Sequence, residues 1–330
     1  MEIISNTREF QRQKPTAVVL GKFDGIHLGH SRLLQRIMQE KERGLETVVF
    51  TFDRSPASLF IRDGSTYREL CGREEKRAVF ERIGVDTVLE FPMNEETMSI
   101  PAEEFITEIL QKRLCCKFLA AGEDISFGYR GLGDSKMLEA YRERCGFQVC
   151  IIDKVLTTEV FPEGSKQEIS ATLIRREIQL GNMEAANGYL GRSFSVTGTV
   201  IDGNHLGGPV LGVPTANIRW PLNKVLPAFG VYFTESVIEG NTYHGITNVG
   251  LKPTVSEEGT EEVLAETHLF DFQGDLYGKT MEVKLLHYVR EEQRFEGLEA
   301  LKNQLKQDLA YGKLFWSTRY EPTNISNTKK

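Results

Sequence analysis

Two histidines inside a glycine-rich turn are the residues of this chain best placed to do chemistry. They stand in Gly21-Lys22-Phe23-Asp24-Gly25-Ile26-His27-Leu28-Gly29-His30. Gly21, Gly25 and Gly29 carry no side chain that would keep an anion from the backbone N–H groups, and Phe23 and Asp24 complete the loop. A helix starting near Gly29 adds the partial positive charge of its N-terminus. His27 and His30 offer ring N–H donors where negative charge builds up at a phosphorus under attack. That combination suits nucleotidyl transfer, in which positioning and charge stabilisation matter more than a covalent intermediate. A second phosphate-handling stretch, Leu211-Gly212-Val213-Pro214-Thr215-Ala216-Asn217, lies about 190 residues downstream. Two such signatures predict two active sites.

The elements that must hold these residues are readable from hydrophobic period. The first loop follows a β-prone run at 16–20 and opens a stretch with Leu33, Leu34, Ile37 and Met38 at helical spacing, which makes it a strand-to-helix turn. Up to residue 152, β-prone runs at 47–52, 86–91, 116–121 and 147–152 alternate with helical patterns at 31–43, 73–83, 101–114 and 135–145. This α/β alternation predicts a Rossmann-like parallel sheet with helices on both faces. Gly84 and Gly146 stand where helices end, and Pro101 suits a first helical turn. A helix pair at 170–180 and 182–190 closes this part.

From residue 193 to 289 the chain is β-prone and turn-rich. Gly203, Gly207, Gly208, Gly230, Gly240, Gly245, Gly250, Gly274 and Gly278 mark its corners, and an antiparallel β-barrel fits best. A terminal helix with Leu298, Leu301, Leu305 and Leu309 in one stripe is expected to pack on it. The expected domains are 1–185 and 186–330, with residues 324–330 expected to be disordered.

The chain has 330 residues, enough for two cores, and a net charge of −7. Acids and bases are interleaved without a basic stripe, so no nucleic-acid partner is expected. No apolar window reaches the length of a membrane span, and Met1-Glu2-Ile3-Ile4-Ser5-Asn6 lacks a basic region followed by an apolar stretch, so no membrane association is expected either. Cys71, Cys115, Cys116, Cys145 and Cys150 show no Cys-x-x-Cys pair, which fits reduced thiols and a cytoplasmic protein. The oligomeric state stays open.

With both signatures and this layout, the chain resembles the bacterial bifunctional riboflavin kinase/FMN adenylyltransferase family over most of its length. Besides the first loop, Gly122-Glu123-Asp124-Ile125-Ser126-Phe127-Gly128 resembles the family's Gly-x-Asp-Phe-x-Phe-Gly, and Ile169-Ser170-Ala171-Thr172-Leu173-Ile174-Arg175 its Ile-Ser-Ser-Thr-x-Ile-Arg. Ser170 can cap a helix while the Thr172 hydroxyl and Arg175 guanidinium offer donors to a triphosphate. In the second half the Pro-Thr-Ala-Asn of 214–217, Leu226-Pro227 with Gly230-Val231-Tyr232, Asn248 to Thr254, Glu266-Thr267-His268-Leu269, Asp275-Leu276-Tyr277-Gly278 and Arg290-Glu291-Glu292 follow in order.

The resemblance implies FMN adenylylation in the first domain, with Asp124 and Phe127 near flavin or nucleotide. It implies riboflavin phosphorylation in the second, with ATP and Mg2+ as cofactors. There Gly203, Gly207 and Gly208 would meet phosphate, Thr215 and Asn217 would hold the metal and ATP, Asn248 and Arg290 would contact flavin, and Glu266 would be the general base. By its own surroundings Glu266 reads as one acid among Glu257, Glu258, Glu261 and Glu262 on a solvated face. The chain departs from the family at Phe52-Asp53-Arg54-Ser55-Pro56, where Phe-Glu-Pro-His-Pro is usual, at Arg130, one place early, at Ala171, and at Lys252 in place of arginine. A second reading therefore keeps only the kinase, with a degenerate first domain.

Overall fold

The run TAVVL at Thr16–Leu20 shows no polar alternation because every one of its residues is buried. In the computed structural model, which describes residues 1–60, 66–202, 215–252 and 262–319, this run is an inner strand of a six-stranded, all-parallel sheet. The strands are β1 (Glu2–Ser5), β2 (Thr16–Leu20), β3 (Glu46–Phe52), β4 (Thr87–Phe91), β5 (Cys116–Gly122) and β6 (Gln148–Ile152), in the order β1-β4-β3-β2-β5-β6. Only β1 was not expected; it is four residues long and too short to show a period.

Alternate residues of β2 and β5 go to opposite faces. On one face Ala17, Val19 and Phe118 meet Leu33, Leu34 and Ile37 of α1 (Leu28–Lys41) and Phe80 of α2 (Arg73–Ile83). The short α3 (Glu95–Met98) and α4 (Ala102–Glu104) follow in the chain. On the other face Val18, Leu20 and Leu119 meet Phe105, Ile106 and Leu110, together with Leu138 of α5 (Ser135–Cys145). Each such Val, Leu, Ile or Phe side chain, fully buried, contributes roughly 1.5–3 kcal/mol relative to exposure.

The helix expected over 101–114 is α-helical only in α4 and continues as a π-helix at Phe105–Arg113, with Leu114 N–H donating to the Ile109 carbonyl at 2.9 Å. Wide turns of this kind bring Phe105, Ile109 and Leu114, at spacings of four and five, to one buried side. Gly84 and Gly146 end their helices in the left-handed conformation, as expected. Two further helices, α6 (Ala171–Gln179) and α7 (Met183–Leu190), complete this stretch.

The second sheet is antiparallel: β7 (Phe194–Thr199), β8 (Ala216–Arg219), β9 (Gly230–Ile238), β10 (Asn241–Lys252), β11 (Glu262–Leu269) and β12 (Thr280–Glu291), ordered β7-β12-β9-β10-β11-β8. The two ends of that order meet where Ile201 N–H donates to the Asn217 carbonyl at 2.8 Å, so the sheet nearly closes into the expected barrel. Inside it the hydroxyls of Thr234, Thr247 and Thr267 form a chain of hydrogen bonds, each 2.9 Å long. All three are 0 % exposed, and each hydroxyl satisfies its neighbour.

The terminal helix α8 (Leu298–Arg319) packs on the barrel, though not mainly by the leucine stripe. Leu298 is 57 % exposed, whereas Trp316, Phe315 and Leu309 meet Val231, Phe233, Ile246 and Phe270. His244 stacks on Trp316 with ring centroids 3.9 Å apart. The far end of the helix therefore supplies its buried face, an aromatic pair that the heptad-like leucines conceal.

The chain forms two compact units, Met1–Arg176 with Tyr189–Gly191 and Leu222–Val225, and Glu177–Gly188 with Arg192–Pro221 and Leu226–Lys330. Gly203, Gly207, Gly208, the 253–261 stretch with Glu257, Glu258 and Glu261, and residues 324–330 lie outside the described residues.

Candidate functional site

The chain runs from β2 outward to β3 and β4 on one side and to β5 and β6 on the other, so the strand order reverses between β2 and β5. Loops leaving the carboxyl ends of those two strands diverge and leave a crevice, the usual ligand position in open α/β sheets. A cavity of about 450 Å³ opens there. Its walls include Gly21, Asp24, His27, Gly29 and His30 after β2, Asp124 and Phe127 after β5, and Ser170, Thr172 and Arg175 at the start of α6. Phe23 and Gly25 are not in the wall. They lie beneath it, Phe23 in the core against Phe80 with centroids 5.4 Å apart.

The loop that carries the histidines is backbone-strained. Phe23 and Ile26 have φ of 50° and 43°, a left-handed region that β-branched and bulky side chains avoid. Their side chains, 0 % and 2 % exposed, offset that cost by anchoring in the core. Gly25 has φ 83°, and a β-carbon there would lie 2.8 Å from Leu70 Cδ1. At Gly29 the nearest atom is His27 Cε1, 3.1 Å from where a β-carbon would stand. The glycines thus make room for the protein's own packing, a reason additional to anion access. His27 is the residue just before α1, and its ring lies 3.9 Å from that of His30, which in turn packs 4.9 Å from Phe23.

Asp24 and Arg175 come together across 151 residues of sequence. One Asp24 oxygen accepts from Leu70 N–H at 2.8 Å and the other from the Arg175 guanidinium. Arg175 also donates to the Tyr67 hydroxyl at 2.6 Å and to the Arg68 carbonyl at 3.2 Å. Ser170 Oγ accepts from Leu173 N–H at 3.2 Å, the capping bond its position suggests. Phe127 packs 5.3 Å from Phe105, and Asp124 lies 3.5 Å from Lys154, whose ammonium also donates to Glu168 at 2.6 Å.

Sequence reasoning missed Tyr67, Glu69, Lys76, Lys154 and Glu168 in this wall. They sit on loops or behind a helix start, where period carries no signal. Burial pushes the Glu69 carboxyl above its usual range and the charge of Asp24 adds to the rise, while Lys76, 3.9 Å away, opposes it. Arg54, Ser55 and Pro56, the segment that departs from the family pattern, also line the cavity.

In the barrel the register does what loops do in the first unit. Asn217 of β8 pairs with Glu266 of β11, which pairs with Asn248 of β10, which pairs with Val231 of β9, which pairs with Arg290 of β12. Directly opposed residues share a face. Glu266 and Asn248 each adjoin a threonine of the buried hydroxyl chain, so this row faces away from the barrel interior. Asn248 Nδ2 donates to Glu292 at 3.1 Å. Arg290 is engaged by Asp308 of α8 through bonds of 2.7, 3.1 and 3.2 Å. Asn217 is 4 % exposed, and its side-chain oxygen has no hydrogen-bond donor among the described residues. Thr215 precedes it by two and lies just before β8. An orphaned buried amide oxygen two residues after a threonine is a donor set that fits a hard, oxygen-seeking cation.

Fold and sites together define a nucleotidyltransferase-type unit joined to a kinase-type barrel. Residues 9–162 match the FAD synthetase family model and residues 190–315 the riboflavin kinase model. The bifunctional riboflavin kinase/FMN adenylyltransferase of Escherichia coli (strain K12) is 36 % identical over 299 residues, covering 90 % of this chain and 91 % of that one. The protein of the same name from Bacillus subtilis (strain 168) is 30 % identical, covering 90 % and 92 %. A crystal structure named as a macrolide-efflux protein from Streptococcus pneumoniae superposes with a TM-score of 0.81 at 30 % identity, covering 94 % of this chain and 98 % of that one. No helix among the described residues of the present chain is long and apolar enough to cross a membrane. The chain belongs to the bifunctional riboflavin kinase/FMN adenylyltransferase family. With both halves matched, the kinase-only reading is not favoured.

Proposed function

We propose that the chain converts riboflavin to FMN and FMN to FAD, residues 186–330 acting as the kinase and residues 1–185 as the adenylyltransferase. In the first step Glu266 takes the proton from the ribityl 5′-hydroxyl as that oxygen attacks the γ-phosphorus of ATP, and ADP leaves. Asn248 and Arg290 face the flavin, Arg290 in the orientation that Asp308 gives it. Thr215 and Asn217 would hold Mg2+, which would supply charge neutralisation at the ATP phosphates.

In the second step an FMN phosphate oxygen attacks the α-phosphorus of a second ATP and pyrophosphate leaves. His27 and His30 donate to the oxygens that gain charge, while Ser170, Thr172 and Arg175 hold the leaving phosphates. Asp124 and Phe127 border the flavin or base. The described cysteines form no disulfide, in keeping with a reducing, cytoplasmic setting.

The observation that carries this reading is the E. coli relative, aligned over both halves. Purified protein given riboflavin, ATP and magnesium should yield FMN and then FAD by chromatography. FMN without FAD would reject the adenylyl step.

A further inference from the structure

Residues Leu222–Val225 fall inside the stretch that matches riboflavin kinase, yet they belong to the parallel-sheet unit. Lys224 is the reason. It is 4 % exposed, and its ammonium donates to Glu75 at 2.6 and 2.8 Å and to the Leu70 carbonyl at 3.3 Å. Glu69 N–H donates to the Asn223 carbonyl at 2.7 Å and Val225 N–H to the Glu69 carbonyl at 2.9 Å, a single rung of parallel pairing. A buried ammonium persists only when it is paired and hydrogen-bonded in this way.

What Lys224 clamps is a piece of chain with no other regular pairing. Residues 66–72 form neither helix nor strand beyond that rung. Their other side holds the adenylyl site: Tyr67 and Arg68 accept from Arg175, and Leu70 N–H donates to Asp24. The Leu70 residue is therefore gripped at its carbonyl by Lys224 and at its amide by Asp24, and its side chain packs on Gly25 in the histidine loop.

We propose that Lys224 is a positioning residue for adenylyl transfer, contributed by the riboflavin-kinase stretch of the chain. It fixes residues 67–70, which set Arg175 and Asp24, and through them the loop that carries His27 and His30. This rests on the adenylyltransferase reading above.

The test compares Lys224→Met, Lys224→Arg and wild type in the full-length protein, with supplied FMN and with riboflavin. Lys224→Met should lower kcat/KM for adenylylation on the order of ten- to a hundred-fold, with a raised KM for ATP, since small displacements of a binding group cost that much. Riboflavin phosphorylation should stay within about two-fold. Hydrogen exchange across 66–72 should accelerate, and Lys224→Arg, which keeps the charge beside Glu75, should recover most of the lost rate. A folded Lys224→Met protein that adenylylates at the wild-type rate overturns the proposal. So does a parallel fall of both activities with Tm and no change in KM, the mark of a merely structural lysine.

Should Lys224→Met fail to fold, Glu75→Gln weakens the same clamp, and an unchanged KM for ATP in that variant overturns the proposal. A wild type that makes no FAD overturns the underlying reading and the proposal with it.

Discussion

In the parallel-sheet unit the candidate residues arrive on loops from the ends of several elements, whereas in the barrel they sit within strands and are aligned by pairing. Asp24 and Arg175 need a direct ion pair to hold a loop and a helix that are far apart in the chain together. Asn217, Glu266 and Asn248 need only register, because the ladder that forms the barrel puts them side by side. A loop-built site can change its wall residues, as at Arg54 and Ser55, while keeping its sheet, and its accuracy rests on struts. A register-built site has little such freedom, since a slip of one residue would turn its whole row into the threonine-lined interior.

The sharpest way to separate the two is to disable one chemistry at a time. Glu266→Gln keeps shape and pairing but cannot take a proton, so FMN formation should drop by about 10²–10⁴-fold while supplied FMN still becomes FAD. His27→Ala should do the reverse, lowering FAD formation by roughly 10²–10³-fold with FMN formation near normal. Chromatography of both products from each variant decides. If His27→Ala changes neither rate, the loop does not carry the adenylyl chemistry.

A stability experiment extends the contrast to what supports each site. Arg290 and Asp308 have side chains only 17 % and 5 % exposed, and Gln304 also donates to Asp308 at 2.9 Å. Asp308→Ala leaves a partly buried guanidinium without its carboxylate and should destabilise the barrel unit by about 2–4 kcal/mol in denaturant unfolding. A change under about 1 kcal/mol would show that Arg290 reaches water instead.

Much of this was readable beforehand, for identifiable reasons. The inner strands of the first sheet are continuous apolar runs and its helices have clean periods, so the α/β alternation and the carriers of His27, His30 and Ser170 were visible. Glycines at sharp turns announced the barrel, among them Gly240 with φ 82° after Glu239 in the β9–β10 hairpin. The Asp24–Arg175 pair, the Lys224 clamp and the wall residues Tyr67, Glu69 and Lys154 were not visible. Each joins segments far apart in the chain through irregular backbone, and no local period records such contacts. The Asn217–Glu266–Asn248 row was named residue by residue only through family motifs, because one glutamate among several has no local mark.

The smallest effect expected belongs to Glu69, a carboxylate in the wall of the loop-built site. Its folded pKa is raised above the unfolded value near 4.5, chiefly by burial. Between those two values the native protein keeps a proton that the unfolded chain releases, so this group's contribution to stability falls as pH rises through that interval. Above it, the wild type carries the full cost of a buried charge that Lys76, 3.9 Å away, only partly offsets. Glu69→Gln removes the ionisation, so its Tm should exceed that of wild type at neutral pH, and the difference should shrink or reverse below about pH 4, where Glu69 is mostly protonated in both states. Thermal unfolding of the two proteins across that range provides the check. A variant less stable than wild type at neutral pH would mean that attraction to Lys76 outweighs burial, making Glu69 a strut of the same kind as Asp24.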